Sequence, residues 1–276
     1  MIERMPIALS ADCSQCFALC CVALPFRKSA DFAIDKPAGT PCRNLDGYAC
    51  TIHDRLPAAG FPGCVAYDCF GAGQRVAQQT FNGIDWRSSP GSAESMFTAF
   101  ATMRHLHELL WLIASALARP EAEPLRADLQ AKRSAVERAT DSSAAELAEL
   151  DVNELRSTTA PLLRQVSRLV RGEDARDLSG EDFTGADLRN EHLRNADLRN
   201  ARLLGANLTG VDLGHADLLG ADIRNADISG ADLVGTLYLT QSQLGGSRGN
   251  EMTGIPPTLR RPLHWTAGQG TARRGN

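Results

Sequence analysis

Between Leu178 and Leu233 a Leu, Ile or Phe occupies every fifth position, twelve times in succession. No other feature limits the fold as tightly. The units read Ala186-Asp187-Leu188-Arg189-Asn190 and Ala196-Asp197-Leu198-Arg199-Asn200. They continue as Ala206-Asn207-Leu208-Thr209-Gly210, Ala221-Asp222-Ile223-Arg224-Asn225 and Ala231-Asp232-Leu233-Val234-Gly235. Within a unit, Ala-Asp-Leu alternates inward, outward, inward, which is strand periodicity over three residues. The two remaining residues turn the chain. The last of them is Gly or Asn in eleven of the twelve units, with His215 the exception, as the φ > 0 position of a type II turn demands. A period of five drifts around a 3.6-residue spiral, so an amphipathic helix is excluded. Each unit makes one short wall and one corner, and the sequence predicts a short β-helix over about residues 178–237.

These units resemble the pentapeptide-repeat family. The resemblance implies that four walls close a right-handed, quadrilateral coil of 20 residues, giving three coils here. Stacking by that arithmetic puts Asp177, Asp197 and Asp217 in one column, and Asp182, Arg202 and Asp222 in a mixed one. Like charges ~4.8 Å apart in water repel by only ~0.9 kcal/mol, so a solvated acidic column is tolerable. Open coil ends need covers. Pro161–Arg171 is expected over the first coil, and Tyr238, Leu239 and Leu244 over the last. Some relatives imitate DNA with an acidic rod and bind type II topoisomerases. Here Arg189, Arg194, Arg199 and Arg224 dilute the acid.

All eight cysteines, Cys13, Cys16, Cys20, Cys21, Cys42, Cys50, Cys64 and Cys69, fall within the first 69 residues. The start of the chain has no long apolar core, so no secretory leader is expected, and in a reducing cytoplasm clustered thiols read as metal ligands rather than disulfides. Cys13-x2-Cys16 has the reach of a metal knuckle. Adjacent Cys20 and Cys21 do not easily face one mononuclear site, which points to two ions or a cluster with bridging sulfur. The segment is similar to a zinc- or iron-chelating domain family with a C-x2-C-x2-C-C signature and further scattered cysteines. Cys50-Thr51-Ile52-His53 with Arg55 fits that habit, while Phe17-Ala18-Leu19 adds one residue to the signature's spacing. The candidate metal ligands are these eight cysteines and His53, for zinc or iron, including an iron–sulfur cluster.

The rest of the chain separates by composition. Residues 1–90 carry turn residues throughout and predict a loop-rich, cysteine-rich domain. Residues 91–172 read as a helical connector, with Phe97, Phe100, Met103, Leu106, Leu110, Ile113 and Leu117 spaced by three and four. Residues 173–244 hold the repeats, and 245–276 read as a flexible, disordered tail rich in Gly, Pro and Arg. A formal net charge of -4 argues against a basic nucleic-acid binder. Arg104, His105, His107 and Glu108 interrupt the longest apolar stretch, so no membrane span is expected. No nucleophile triad, P-loop or dinucleotide fingerprint appears, and catalysis is not expected. His105 and His107 stand two apart on a helix and make poor joint ligands.

Together these features predict a cytoplasmic, metal-binding interaction or scaffold protein that presents a short β-helix to a protein partner. Two alternatives stand beside it. One is a zinc- or iron-dependent enzyme or redox sensor using the cysteines, and the other is a DNA-mimic modulator of a type II topoisomerase. Neither a membrane nor a nucleic acid is expected as a partner.

Overall fold

The computed structural model describes residues 7–88 and 90–265. The chain divides into two compact units. The first comprises Met1–Phe61 and Asp68–Val166, and the second Pro62–Tyr67 and Ser167–Asn276. Among the described residues no helix is long and apolar enough to cross a membrane.

The first unit begins with short elements. α1 spans Leu19–Ala23, β1 Leu45–Asp46 and β2 Ala49–Cys50, and α3 spans Ala72–Arg75. β1 and β2 form an antiparallel hairpin pairing Leu45 with Cys50. The long helix α4, Ala93–Leu117, buries Met96, Phe100, Met103, Leu106, Leu110 and Ile113. Its apolar stripe, spaced by three and four, packs on α5 (Arg126–Thr140) and α6 (Ala144–Glu149). Leu129, Val136 and Leu147 complete that core. α7 covers Val152–Arg171.

In the second unit the expected β-helix is corrected. No β-strand lies between Arg171 and Gln241, and the hairpin β1–β2 is the only sheet among the described residues. A strand needs consecutive bridged residues, and a five-residue side offers one before the chain must turn again. What forms is a turn-dominated coil whose successive turns are joined by isolated parallel bridges: Asp177 to Asp197 to Asp217, and Asp182 to Arg202 to Asp222. Around each bridge the backbone bonds run in both directions. Leu178 N–H donates to Asp197 C=O and Asp197 N–H to Arg176 C=O, both at 2.8 Å. Corners close as β-turns, with Glu181 N–H donating to Leu178 C=O at 3.3 Å. The corner residue has φ > 0 in every unit from Gly180 to Gly235 except at Asn190, and His215 adopts it as well, at φ 60. Inward Ala and Leu side chains fill the axis, with Ala196, Leu198, Ala201, Leu203, Ala206 and Leu208 all fully buried.

The expected disordered tail is also corrected for its described part. α8 spans Gln241–Gly246 behind a Thr240 capping box. Arg248 then bridges Asp227 and Gly254 bridges Asp232, so the tail continues the coil with slips of one and two residues. Tyr238, Leu239, Leu244, Leu259 and Trp265 are buried. Apolar residues too sparse to show a period still close the coil's final turn. Residues 266–276 of the expected tail lie outside the described residues.

At the other end Leu178 and Phe183 stay half-buried. Ser167 and Arg171 sit instead beside the acidic column. Arg171 Nη2 donates to Asp197 at 2.9 Å, Arg171 Nε to Ser167 Oγ at 2.9 Å, and Ser167 Oγ to Asp217 at 2.5 Å. Arg199 also pairs with Asp197, at 2.5 Å. The upper column is therefore buried rather than solvated, and burial pushes the Asp217 carboxyl up to about 6.

Candidate thiol centre

Asp12 starts the centre by accepting Ser14 N–H at 3.0 Å, which caps the 3-10 turn Cys13–Gln15. Phe17 and Ala18 then both adopt left-handed backbone, at φ 50 and φ 56. That conformation is unfavourable for side-chain-bearing residues, by about 1–2 kcal/mol each. It reverses the chain sharply enough to set Cys13 and Cys16 beside α1, which carries Cys20 and Cys21. Leu19 and Val22 anchor α1 with no exposed surface.

The thiols fall into two pairs. Cys20 Sγ and Cys21 Sγ lie 4.0 Å apart, closer than neighbours directed to separate sites would be. Hydrogen bonding between them pushes the Cys20 thiol well up and draws the Cys21 thiol down. Cys13 and Cys16 behave the same way, with Cys13 raised and Cys16 lowered. Cys16 is buried, and its Sγ–H donates to Cys13 C=O at 3.4 Å.

Three further cysteines lie nearby. Cys42 N–H donates to Cys21 C=O at 3.0 Å. Cys50 sits on β2, raised first by burial and then by Cys21, Cys42 and Cys13. Cys69 precedes α3 and is likewise raised by burial, with Cys13 adding to it. A Cβ at Gly73 would strike the Cys16 side chain, so only glycine lets α3 approach that closely. Cys64 lies on α2, Pro62–Val65, in the second unit. His53 lies exposed on the 3-10 turn His53–Arg55.

Sequence reading missed Lys36, which has no motif around it. Its side chain is 4 % exposed. Nζ donates to the carbonyls of Val22, Pro37 and Thr40 at 3.0, 3.1 and 2.9 Å and lies 4.8 Å from the Phe26 ring centre. Burial lowers this ammonium, while Cys42, Cys21 and Cys20 pull the other way.

A zinc ion ~2.3 Å from each sulfur in a tetrahedron separates sulfurs by about 3.8 Å, close to the Cys20–Cys21 spacing, and soft thiolates suit zinc and iron. The donors fit in pairs. Among the described residues no three Cys, His, Asp or Glu side chains form a metal-holding group. The expected metal-bearing scaffold that presents a β-helix is therefore corrected: the repeats form no β-helix, and no group of three donors that could hold a metal is assembled among the described residues. The metalloenzyme or redox-sensor alternative relied on such a group, which is not assembled among the described residues. The DNA-mimic alternative loses its rod. The repeats form no β-helix, Asp197 and Asp217 are buried, and Asp187, Asp212 and Asp222 are each paired with an arginine.

The remaining histidines of interest are held structurally. His107 is buried with Nδ1 2.8 Å from Phe70 C=O, and burial pushes it down to about 4. Arg156 donates to His105 Nδ1 at 2.7 Å and to Glu108 at 3.1 Å.

Comparison with known proteins places these features in a lineage. Pentapeptide repeats match in eight copies over residues 177–214 and 205–237. The pentapeptide-repeat protein Rfr23 of Cyanothece 51142 is 37% identical over 29% of this chain and 56% of its own, with a TM-score of 0.23. A pentapeptide-repeat protein of the Arabidopsis thaliana thylakoid lumen is 32% identical over 32% of this chain and 59% of its own, with a TM-score of 0.17. The chain thus spans less than two thirds of either solved structure. The protein YybG of Bacillus subtilis (strain 168) is 53% identical over 264 residues, 93% of this chain and 95% of its own length. Likeness of that extent reaches through the cysteine segment, the helices and the repeats alike, and the chain belongs to the family of YybG, with pentapeptide repeats as its C-terminal part.

Proposed function

We propose that the chain is a binding protein rather than an enzyme, and that its N-terminal thiols are the ligand centre. The observation that carries this reading is the convergence of Cys13, Cys16, Cys20, Cys21, Cys42, Cys50 and Cys69 from segments up to 56 residues apart in sequence. Seven thiols brought within electrostatic reach are costly to keep as mere apolar filler, because each deprotonation raises the next. A soft cation removes that repulsion by taking the protons' place. Zinc or iron is the ligand class that paired thiolates such as those of Cys20–Cys21 and Cys13–Cys16 favour. A reducing cytoplasm is the compartment in which such thiols stay available. The pentapeptide coil then acts as a structural or protein-binding module, in keeping with the family.

The test is metal content and a visible absorption spectrum on protein purified without oxygen, with native thiols titrated in parallel. Bound zinc or iron near one equivalent, with several thiols protected until the metal is chelated, is the expected result. Metal-free protein whose thiols all react in the native state, before and after incubation with zinc, would overturn it.

A further inference from the structure

Cys20 and Cys21 are neighbours in sequence, and on a helix such side chains ordinarily diverge. Successive helical residues point about 100° apart and do not face each other. On α1 the two sulfurs nevertheless lie 4.0 Å apart, in contact and not bonded. The backbone beneath them is held from both sides. Leu19 and Val22 are fully buried, Cys21 N–H donates to Ala18 C=O at 2.9 Å, and Cys42 N–H donates to Cys21 C=O at 3.0 Å. Both thiols keep partial exposure, so the pair is open to an ion from solvent.

Two uses of such a pair can be compared. A disulfide ordinarily needs Cα atoms about 4.4–6.8 Å apart, and consecutive residues offer only about 3.8 Å. Oxidation of this pair is therefore strained. Bridging by an ion is not, because an ion ~2.3 Å from each sulfur spans the 4.0 Å gap with its two bonds about 120° apart. Zinc and iron–sulfur sites draw on four protein donors. Among the described residues no three Cys, His, Asp or Glu side chains gather into a metal-holding group. A monovalent ion with a filled d shell needs fewer donors. Copper(I) is soft, is selected by thiolates, and is satisfied by two of them.

We propose that Cys20 and Cys21 form a two-thiolate site for copper(I). The inference rests on the thiol reading above and assigns this pair an ion other than zinc or iron. One copper(I) and two thiols give a bis-thiolate complex and two protons released to solvent, with no change of oxidation state. The complex carries a formal charge of about -1, against about -2 for four thiolates around a divalent ion. The smaller charge costs less to hold at a partly buried position.

The experiment titrates full-length protein with copper(I) under argon against the chelator bicinchoninate, and reads the X-ray absorption of the bound copper. At one equivalent the ion should show a first shell of two sulfurs. Cys20→Ser and Cys21→Ser should each weaken copper(I) binding by more than the about 100-fold that residues behind a metal's ligands account for. Cys64→Ser, which removes a thiol of the second unit, should leave it unchanged. A first shell of three or four sulfurs, or wild-type affinity in either pair variant, overturns the proposal. Should a pair variant fail to fold, the sulfur count in the wild-type complex still decides. Protein that takes up zinc or iron through its thiols but no copper(I) overturns this inference and leaves the thiol reading standing, whereas protein that takes up none of the three defeats both.

Discussion

The repeats and the thiol segment solve the same problem in opposite ways. Both are turn-rich, and both would be poor in buried surface if read as isolated elements. In the coil, each residue's surroundings follow from its place in a five-residue unit. Leu203 meets the residues of neighbouring turns because every fifth side chain points inward, and Asp182 faces Arg202 because twenty residues complete a turn. In the thiol segment no interval predicts a neighbour. Cys42 reaches Cys21, Gly73 reaches Cys16 and Lys36 reaches Val22 through separate, unrepeated contacts. A periodic solution distributes its information evenly, whereas an aperiodic one concentrates it in a few residues. Lys36 and Gly73 are such residues, and nothing in the coil has their weight.

The sharpest way to break this comparison is to cut inward side chains. Leu203→Ala should cost about 2–5 kcal/mol and Phe100→Ala about 3–5 kcal/mol, read as loss of urea midpoint. Any fully buried Leu of the coil should fall in the Leu203 range. A coil Leu, such as Leu208, truncated for under 1 kcal/mol would show that the turns are not equivalent.

Acid should separate the two units next. Asp217 has a folded pKa of about 6, above its ordinary 3.8. Its contribution is full below about pH 4 and is lost as pH rises through 6, by about 3 kcal/mol. His107 has a folded pKa of about 4, below its ordinary 6.5. Its contribution is present above pH 6.5 and is lost as pH falls toward 4, again by about 3 kcal/mol. Urea midpoints from pH 4 to 7 should therefore lose opposite slopes in the two variants. Asp217→Asn removes a falling component and His107→Gln a rising one. Slopes of the same sign would contradict the burial of one of these groups.

Smaller effects probe the corners. His215 and Ala18 are non-glycine residues at φ 60 and φ 56. His215→Gly and Ala18→Gly should each raise stability by up to about 1 kcal/mol in thermal unfolding, and a loss would mean that the native side chain contributes contacts outweighing the strain. Least of all, Arg189→Gln removes an exposed ion pair with Asp187 and should leave the midpoint unchanged within error. A resolved shift there would mean that the outer wall contributes to stability after all.

Much of the second unit was legible in the chain itself. The inward Leu and the left-handed corners follow from a period and a turn type, both local quantities, while the Asp177–Asp197–Asp217 column followed from the 20-residue coil that the family resemblance implied. The absence of β-strands was not legible, and the sequence predicts a β-helix instead. Three alternating residues look like a strand, yet only one can bridge before the corner. The ordered tail and the burial of Asp197 and Asp217 were hidden, because Arg248, Gly254, Ser167 and Arg171 belong to no period. In the first unit the helix α4 showed through its three-and-four spacing. The thiols were visible as a list of candidates, not as two pairs.

Sequence by itself determined that this chain must contain a coil of five-residue sides and an N-terminal store of thiols, since periodicity and residue type are written along the chain. Tertiary structure alone decided that Cys20 and Cys21 sit 4.0 Å apart, that a lysine ties the loop behind them, and that Asp197 and Asp217 of an acidic column expected in water are buried beside Ser167 and Arg171. The physical reason is common to all three. Each depends on contacts between residues distant in sequence or on backbone turned against its intrinsic preference, and local pattern carries no record of either.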